Sequence, residues 1–248
     1  NHLDFTFKKK EKLAKFIGLK GNNDICKYLI KNIKSNYHAC VTSIKFNTNY
    51  WTITINKKDK FFFKNLVLTC PFPQLKKISY KYLNKKILNI KPLMIPNITV
   101  MAAYKNYKLI PINSIRFNDT ILAWASQENT KNRFKSNKTL WTIQCTEKFS
   151  NKTINLFKKN KTKYERFILK KFEKLTGYQS KNIVFQKIHG WKYAYKKTKN
   201  NKLESLWLNK YKLGVCADWF NGDKAEDAWF SAKNLFSEIK KTYLDKSK

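Results

Sequence analysis

The sequence predicts a mixed α/β (α+β) fold, on three observations. Strand-like and helix-like segments alternate irregularly, which fits neither an all-helical nor an all-β class. Hydrophobic residues make up 42% of the 248 residues and aromatics 15%, enough apolar surface for a packed core. The length suits one large domain or two small ones. No uncharged apolar run reaches the roughly 18 residues a membrane helix needs, and no charged-then-apolar leader opens the chain.

The elements follow from periodicity. Residues 22–34, NNDICKYLIKNIK, place Ile25, Leu29, Ile30 and Ile33 on one helical face, with Asn22 or Asn23 as cap. VTSIKFN (41–47) and WTITIN (51–56) are β-branched and alternating around a short Asn-rich turn, which predicts a hairpin. The run Leu66–Cys70 reads as a buried strand, stopped by Pro71 and Pro73, with a helix starting near Gln74. NITVMAAY (97–104), TILAWAS (120–126) and LWTIQC (140–145) are further strands, with Pro92, Pro96 and Pro111 between apolar runs. One long amphipathic helical stretch is expected over 151–176, ended by Gly177. NIVFQKI (182–188) is a strand delivering His189, Gly190 and Trp191; YKLGVCADWF (211–220) is a short buried strand; a helix follows from about Ala225 to Tyr243.

The net charge is +36, from 52 Lys and Arg against 16 Asp and Glu. Arg occurs only at 116, 133 and 166, and the lysines are spread along the whole chain. Together with the abundant Asn and Ile, that pattern reads as A/T-rich codon usage. Recognition of phosphate and bases favours the bidentate Arg fork, so nucleic acid is not the expected partner; attraction for small anions and dinucleotides remains. Cys26, Cys40, Cys70, Cys145 and Cys216 are odd in number, unclustered and set among apolar neighbours. They read as buried free thiols of a reducing cytoplasm. The three histidines are too scattered for a metal site.

The segment richest in chemistry is LGVCADWFNGDKAEDAWFSAKNLFSEI. An apolar strand ends in Ala217-Asp218, passes through a loop and enters a helix. A carboxylate there can accept bonds from sugar hydroxyls, and the helix start offers free N–H groups to a phosphate or a heterocycle carbonyl. Equally, Asp218 can simply cap a turn. HGWKYA (189–194) offers a flat aromatic wall for a planar ligand, or ordinary aromatic core packing. The six glycines, at 18, 21, 177, 190, 214 and 222, allow no GxGxxG.

In order along the chain, FIGLKGNNDICKYLIKNI, VTSI…WTI, LTCPFPQ, ILAWASQENTKNR, LWTIQC, HGWKYA and VCADWFNGDKAEDAWFSA resemble the renalase-like branch of the flavin-containing amine oxidase superfamily. The last two segments are the specific ones. That family usually has Gly-Asp where this chain has Ala217-Asp218, and Arg where it has Gly190. The resemblance implies a two-domain flavoprotein with an FAD/NAD(P)-binding α/β domain and a mixed-sheet substrate domain. Residues 1–82 and 201–248 would form the first and 83–200 the second. It implies that Asp218, with Ala217, contacts the ribityl or pyrophosphate portion of FAD. Asp227 and Ala228 would face the pyrimidine edge of the flavin, and Val41 would meet the adenine through its backbone. Trp191 and Tyr193 would border the substrate cavity. No catalytic residue is assigned.

Members of this family open with strand–GxGxxG–helix, which this chain lacks. Asn1-His2 resembles a family segment that follows that motif, so an N-terminally incomplete chain is expected, with an open sheet edge or groove. The implied activity is hydride transfer from a reduced nicotinamide-type compound or an amine to flavin, with oxygen as acceptor and a small molecule as substrate. The alternative is a basic nucleic-acid-binding module or a non-catalytic remnant of a flavoprotein fold.

Overall fold

In the computed structural model, residues 17–105, 112–133, 135–197 and 203–244 are described; Asn1, His2 and Pro111 fall outside them. The chain divides into two compact units, one holding residues 17–35 and 96–194, the other 36–95 and 195–244.

The first unit is built on a five-stranded sheet. Its strands are β5 (Met94–Tyr104), β6 (Ser114–Arg116), β7 (Leu122–Gln127), β8 (Thr139–Cys145) and β9 (Ile183–Lys196), in the order β6-β7-β8-β5-β9. Strand β8 shows the logic of the whole sheet: Thr139, Trp141, Ile143 and Cys145 are buried and the residues between them are not. That is the period-2 signature of a strand with one face on the core. Val100, Ala102, Tyr104 and Ile188 join the same cluster. Helix α5 (Lys161–Thr176) contributes Ile168, Leu169 and Phe172 to it. Phe172 stands 5.5 Å from Trp141 and 5.7 Å from Tyr178, centroid to centroid. Such pairs add about 0.5–1.5 kcal/mol each beyond the area they bury.

The helical stretch expected over 151–176 is two helices. Helix α4 (Glu147–Thr153), capped by Thr146 accepting from the Phe149 N–H at 3.2 Å, ends before Ile154. Helix α5 starts only at Lys161 and closes on Gly177 at φ 81°. Between them the chain is not helical, with Phe157 buried in the core and Leu156 55% exposed. Helix α1 (Asp24–Leu29) has the expected spacing and Asn23 at its cap, yet it buries none of its residues. Ile25, Leu29 and Ile33 are exposed.

In the second unit, β1 (Val41–Asn47), β2 (Tyr50–Ile55) and β3 (Asp59–Phe63) form an antiparallel meander. Asn47 pairs with Tyr50, leaving Thr48-Asn49 as the two-residue hairpin turn. A second sheet has the order β10 (Leu206–Leu208), β11 (Leu213–Val215), β4 (Leu66–Leu68), with β11 and β4 parallel. Strand β4 ends this sheet among the described residues. Val67 is 44% exposed and only Leu68 of the strand is buried, so it is not the fully buried strand its apolar run suggested. Helices α2 (Phe72–Ser79), α3 (Lys85–Leu88) and α6 (Ala225–Leu244) complete the unit. Trp51 is fully buried and its Nε1–H donates to the Tyr211 carbonyl at 2.8 Å. Around it pack Tyr82, Leu75, Leu213, Val215 and Phe220.

The cysteines divide. Cys145 and Cys216 are buried and Cys70 half-buried, but Cys26 and Cys40 are exposed, against the expectation that all five are buried thiols. Burial, with Asp119 adding to it, pushes the Cys145 thiol up to about 12. No helix among the described residues is long and apolar enough to cross a membrane.

Candidate functional site

The site is assembled where β11 runs out. Leu213, Gly214, Val215, Cys216 and Ala217 are all buried, so the chain leaves the core at Asp218. The strand end is pinned to α6 by one hydroxyl. The Ala217 N–H donates to Ser231 Oγ at 3.1 Å, and the Ser231 hydroxyl donates to the Glu204 carbonyl at 2.6 Å. Ser231 is wholly buried, so its bond from the Ala217 N–H is made out of water.

A single turn, Asp218–Phe220, follows. Trp219 and Phe220 stack at 4.2 Å, and Phe72 meets Trp219 edge-on at 5.4 Å. The Trp219 Nε1–H donates to the Cys70 carbonyl at 3.1 Å. These two buried rings anchor the loop and leave Asp218 half-buried between them and solvent.

The loop then folds back on the start of α6. The Asp218 carbonyl accepts from the N–H groups of Asn221 (3.0 Å) and Gly222 (2.9 Å). Asp227 Oδ2 reaches back to the N–H groups of Asp223 (3.1 Å) and Lys224 (3.0 Å), the returning half of a capping box. Gly222 is required by that closure, because a Cβ there would stand 2.2 Å from Asp227 Oδ2. The Asp227 and Ala228 N–H groups both point at the Lys224 carbonyl, at 3.2 and 3.4 Å. Ahead of them, the N–H groups of Ala225 and Glu226 have no partner among the described residues. The structure therefore brings Ala217, Asp218, Asp227 and Ala228 together around one loop, with two open amides at its helical end.

Electrostatics mark the same place. Burial raises the Asp218 carboxyl above the ordinary carboxylate range, Asp223 and Asp227 add to the rise, and the Trp219 N–H, 2.8 Å from Oδ1, opposes it. A carboxyl raised in this way is ionised in the folded protein at a cost. That cost is absent below the unfolded-state value and fully present above the folded one. Replacing Asp218 by Asn keeps an acceptor for Trp219 and removes the charge. The expected result is a higher melting temperature at pH 7, with the gain shrinking to nothing below about pH 4; a lower melting temperature at pH 7 would contradict this electrostatic picture.

One residue of this site has no signal in the sequence. Lys196, at the end of β9, is 5% exposed, and its Nζ donates to the Phe220 carbonyl at 3.2 Å. Burial lowers its pKa, while Asp227, Asp218 and Asp223 pull it back up. It is a buried cation set against three carboxylates.

The other expected site residues are placed as follows. Val41 opens β1, is 37% exposed and pairs with Ile55 in the hairpin. HGWKYA does not end a strand but runs through the middle of β9. His189 and Trp191 share a strand face with ring centroids 4.3 Å apart, and Trp191 is 55% exposed. Tyr193, two residues on, is half-buried with Lys192 Nζ 5.8 Å from its ring. Gly190 points the opposite way, where a Cβ would stand 2.8 Å from the Phe157 ring. Trp191 is therefore not part of the packed core. Among the described residues no cluster of metal-ligating side chains forms.

No family model matches the chain, and no curated protein sequence does. Solved structures do match. A crystal structure assigned as a protoporphyrinogen oxidase from Exiguobacterium sp. 255-15 superposes with TM-score 0.63 at 11% identity, over 89% of this chain and 51% of that one. Putrescine oxidase bound to putrescine gives 0.55 at 11%, over 81% and 48%. An oxidoreductase from Methanosarcina mazei gives 0.54 at 10%, over 80% and 49%. The fold is amine-oxidase-like. The chain spans about half the length of each of these three solved chains. Within that amine-oxidase-like fold, the loop from Ala217 to Ala228 joins a parallel strand to a long helix.

Proposed function

We infer that the chain is the flavin-facing part of an FAD-dependent oxidoreductase of the renalase-like kind. It would act on a reduced nicotinamide-type compound or an amine, with oxygen as the final acceptor. The observation that carries this reading is the loop from Ala217 to Ala228. It presents a half-buried carboxylate at one end and the unpartnered amides of Ala225 and Glu226 at the other. The amine-oxidase-like fold supports it as well.

The donor and acceptor set fits part of FAD. Asp218 can accept bonds from the hydroxyls of a sugar-alcohol chain. The open amides of α6, at the positive end of its dipole, can donate to a ring carbonyl and favour negative charge there. Asp223 and Asp227 beside Asp218 make the loop repel a pyrophosphate, so the ribityl portion is the better match for this carboxylate. Lys196 limits the negative charge without itself reaching solvent. Trp191 and Tyr193 would border the substrate. FAD, when bound, would supply the two-electron acceptor. The chain's own part is to hold the ring, orient the substrate and exclude water from the contact.

The test is FAD retention. After incubation with FAD and gel filtration, the protein should keep a flavin absorption band. Asp218→Ala should weaken retention about tenfold or more, as the loss of a bond to a charged acceptor does. Equal flavin content in the two proteins would overturn the role of Asp218, and no flavin in either would overturn the reading. Retention of DNA that falls steeply with salt, without any flavin, would favour the nucleic-acid alternative.

A further inference from the structure

A second feature lies in the unit that holds the five-stranded sheet. A groove of about 540 Å³ runs between α5 and β9, bordered by Arg166 and Lys170 on one side and by four consecutive residues, Ile183 to Gln186, on the other. Side chains of a strand alternate between its two faces. A cavity that touches four in succession therefore follows the edge of the strand, not one face of the sheet. Strand β9 ends the sheet order, so no strand among the described residues pairs with that edge. An edge with unpaired N–H and C=O groups is a template for an added strand. Here it carries no proline, and Val184 and Phe185 stand 45% and 51% exposed beside it.

The opposite wall states what would be added. Arg166 and Lys170 lie one helical turn apart and thus on one face of α5. Both are exposed and neither forms an ion pair among the described residues. Arg166 is one of three arginines in the chain and carries the planar fork that binds carboxylates bidentately. The groove thus combines backbone pairing, an exposed aromatic ring and two free cations.

We propose that the outer edge of β9 is a docking site for an extended acidic segment of a partner protein. The segment adds as a strand, with alternate Asp or Glu side chains on Arg166 and Lys170 and apolar ones against Phe185. This is independent of flavin binding, because it uses neither Asp218 nor α6.

The probe is a fluorescein-labelled peptide of about eight alternating Glu and Val residues, titrated by fluorescence anisotropy near physiological salt. Saturable binding is expected. The same peptide methylated on alternate backbone nitrogens keeps its charge but cannot pair with the edge, and should bind about tenfold or more weakly. The double variant R166A/K170A should lose about tenfold in affinity with an unchanged circular dichroism spectrum. No binding overturns the proposal. Equal binding of the methylated peptide also does, since it means attraction to a basic surface alone, and so does equal affinity of the double variant.

Discussion

Trp219→Ala should cost the protein about 3–5 kcal/mol, the range for emptying a large buried aromatic site. Trp219 is 1% exposed, stacks on Phe220, meets Phe72 edge-on and donates its Nε1–H to the Cys70 carbonyl. Removing it leaves a cavity between three elements and a half-buried carbonyl without its donor. The loss is a large share of the roughly 5–15 kcal/mol that holds a domain together. Urea unfolding followed by fluorescence reads the cost. Because the ring anchors the turn that carries Asp218, loss of FAD retention should accompany the loss of stability. Trp219→Phe, which keeps a stacked ring but no N–H, should fall between the two. A cost below about 1 kcal/mol for the alanine variant would mean that the loop is held by something other than its aromatic pair.

Lys196→Met should be the next most damaging change. Methionine fills similar volume and is spared the burial cost that lowers the Lys196 pKa, so what is lost is the donor to Phe220 and the attraction of a positive charge for Asp227, Asp218 and Asp223. An unsatisfied buried carbonyl costs about 1–3 kcal/mol. The three carboxylates, no longer offset, should add a pH-dependent part. That part is full above the raised pKa of Asp218, where its carboxylate is charged, and fades as the pH falls through that pKa toward about pH 4. The melting temperature of the variant should therefore approach that of the wild type in acid and diverge from it at pH 7. An equal deficit at both pH values would show that Lys196 acts as a hydrogen-bond donor and not as a counter-charge.

How much of this was legible in the sequence depends on where the information sits. β-branched, alternating residues around a short Asn-rich turn located β1 and β2, because the two strands pair with each other close along the chain. The chain order strand, Asp218, loop, α6 was legible for the same reason: it is local. The split of 151–176 into two helices was not. In the segment between them Phe157 packs against β9 at Gly190, a contact made far along the chain that local periodicity does not carry. Strand β3 carries DKFFF with every residue exposed, so no burial pattern marks it. The strand expected over 182–188 runs on through HGWKYA to Lys196, and Gly190 is the place where a core ring crosses it.

Lys196 is the clearest omission at the candidate site. In a chain with 52 basic residues, one more lysine carries no signal, and burial of a single ammonium is decided by tertiary structure. Counting by twos from the buried Ile188 does reach Lys196, but it also passes Lys192, which is exposed. The acidic loop was the available hint: Asp218, Asp223 and Asp227 within ten residues need a cation nearby if any of them is to be buried.

The most direct test uses the isotope-labelled protein and nuclear magnetic resonance of its backbone amides during titration with FAD. The account expects the largest shifts at Ala225 and Glu226, with smaller ones at Asp218 and Gly222, and the same pattern lost in Asp218→Ala. Amides of that loop that stay unmoved while FAD saturates the protein elsewhere would contradict it.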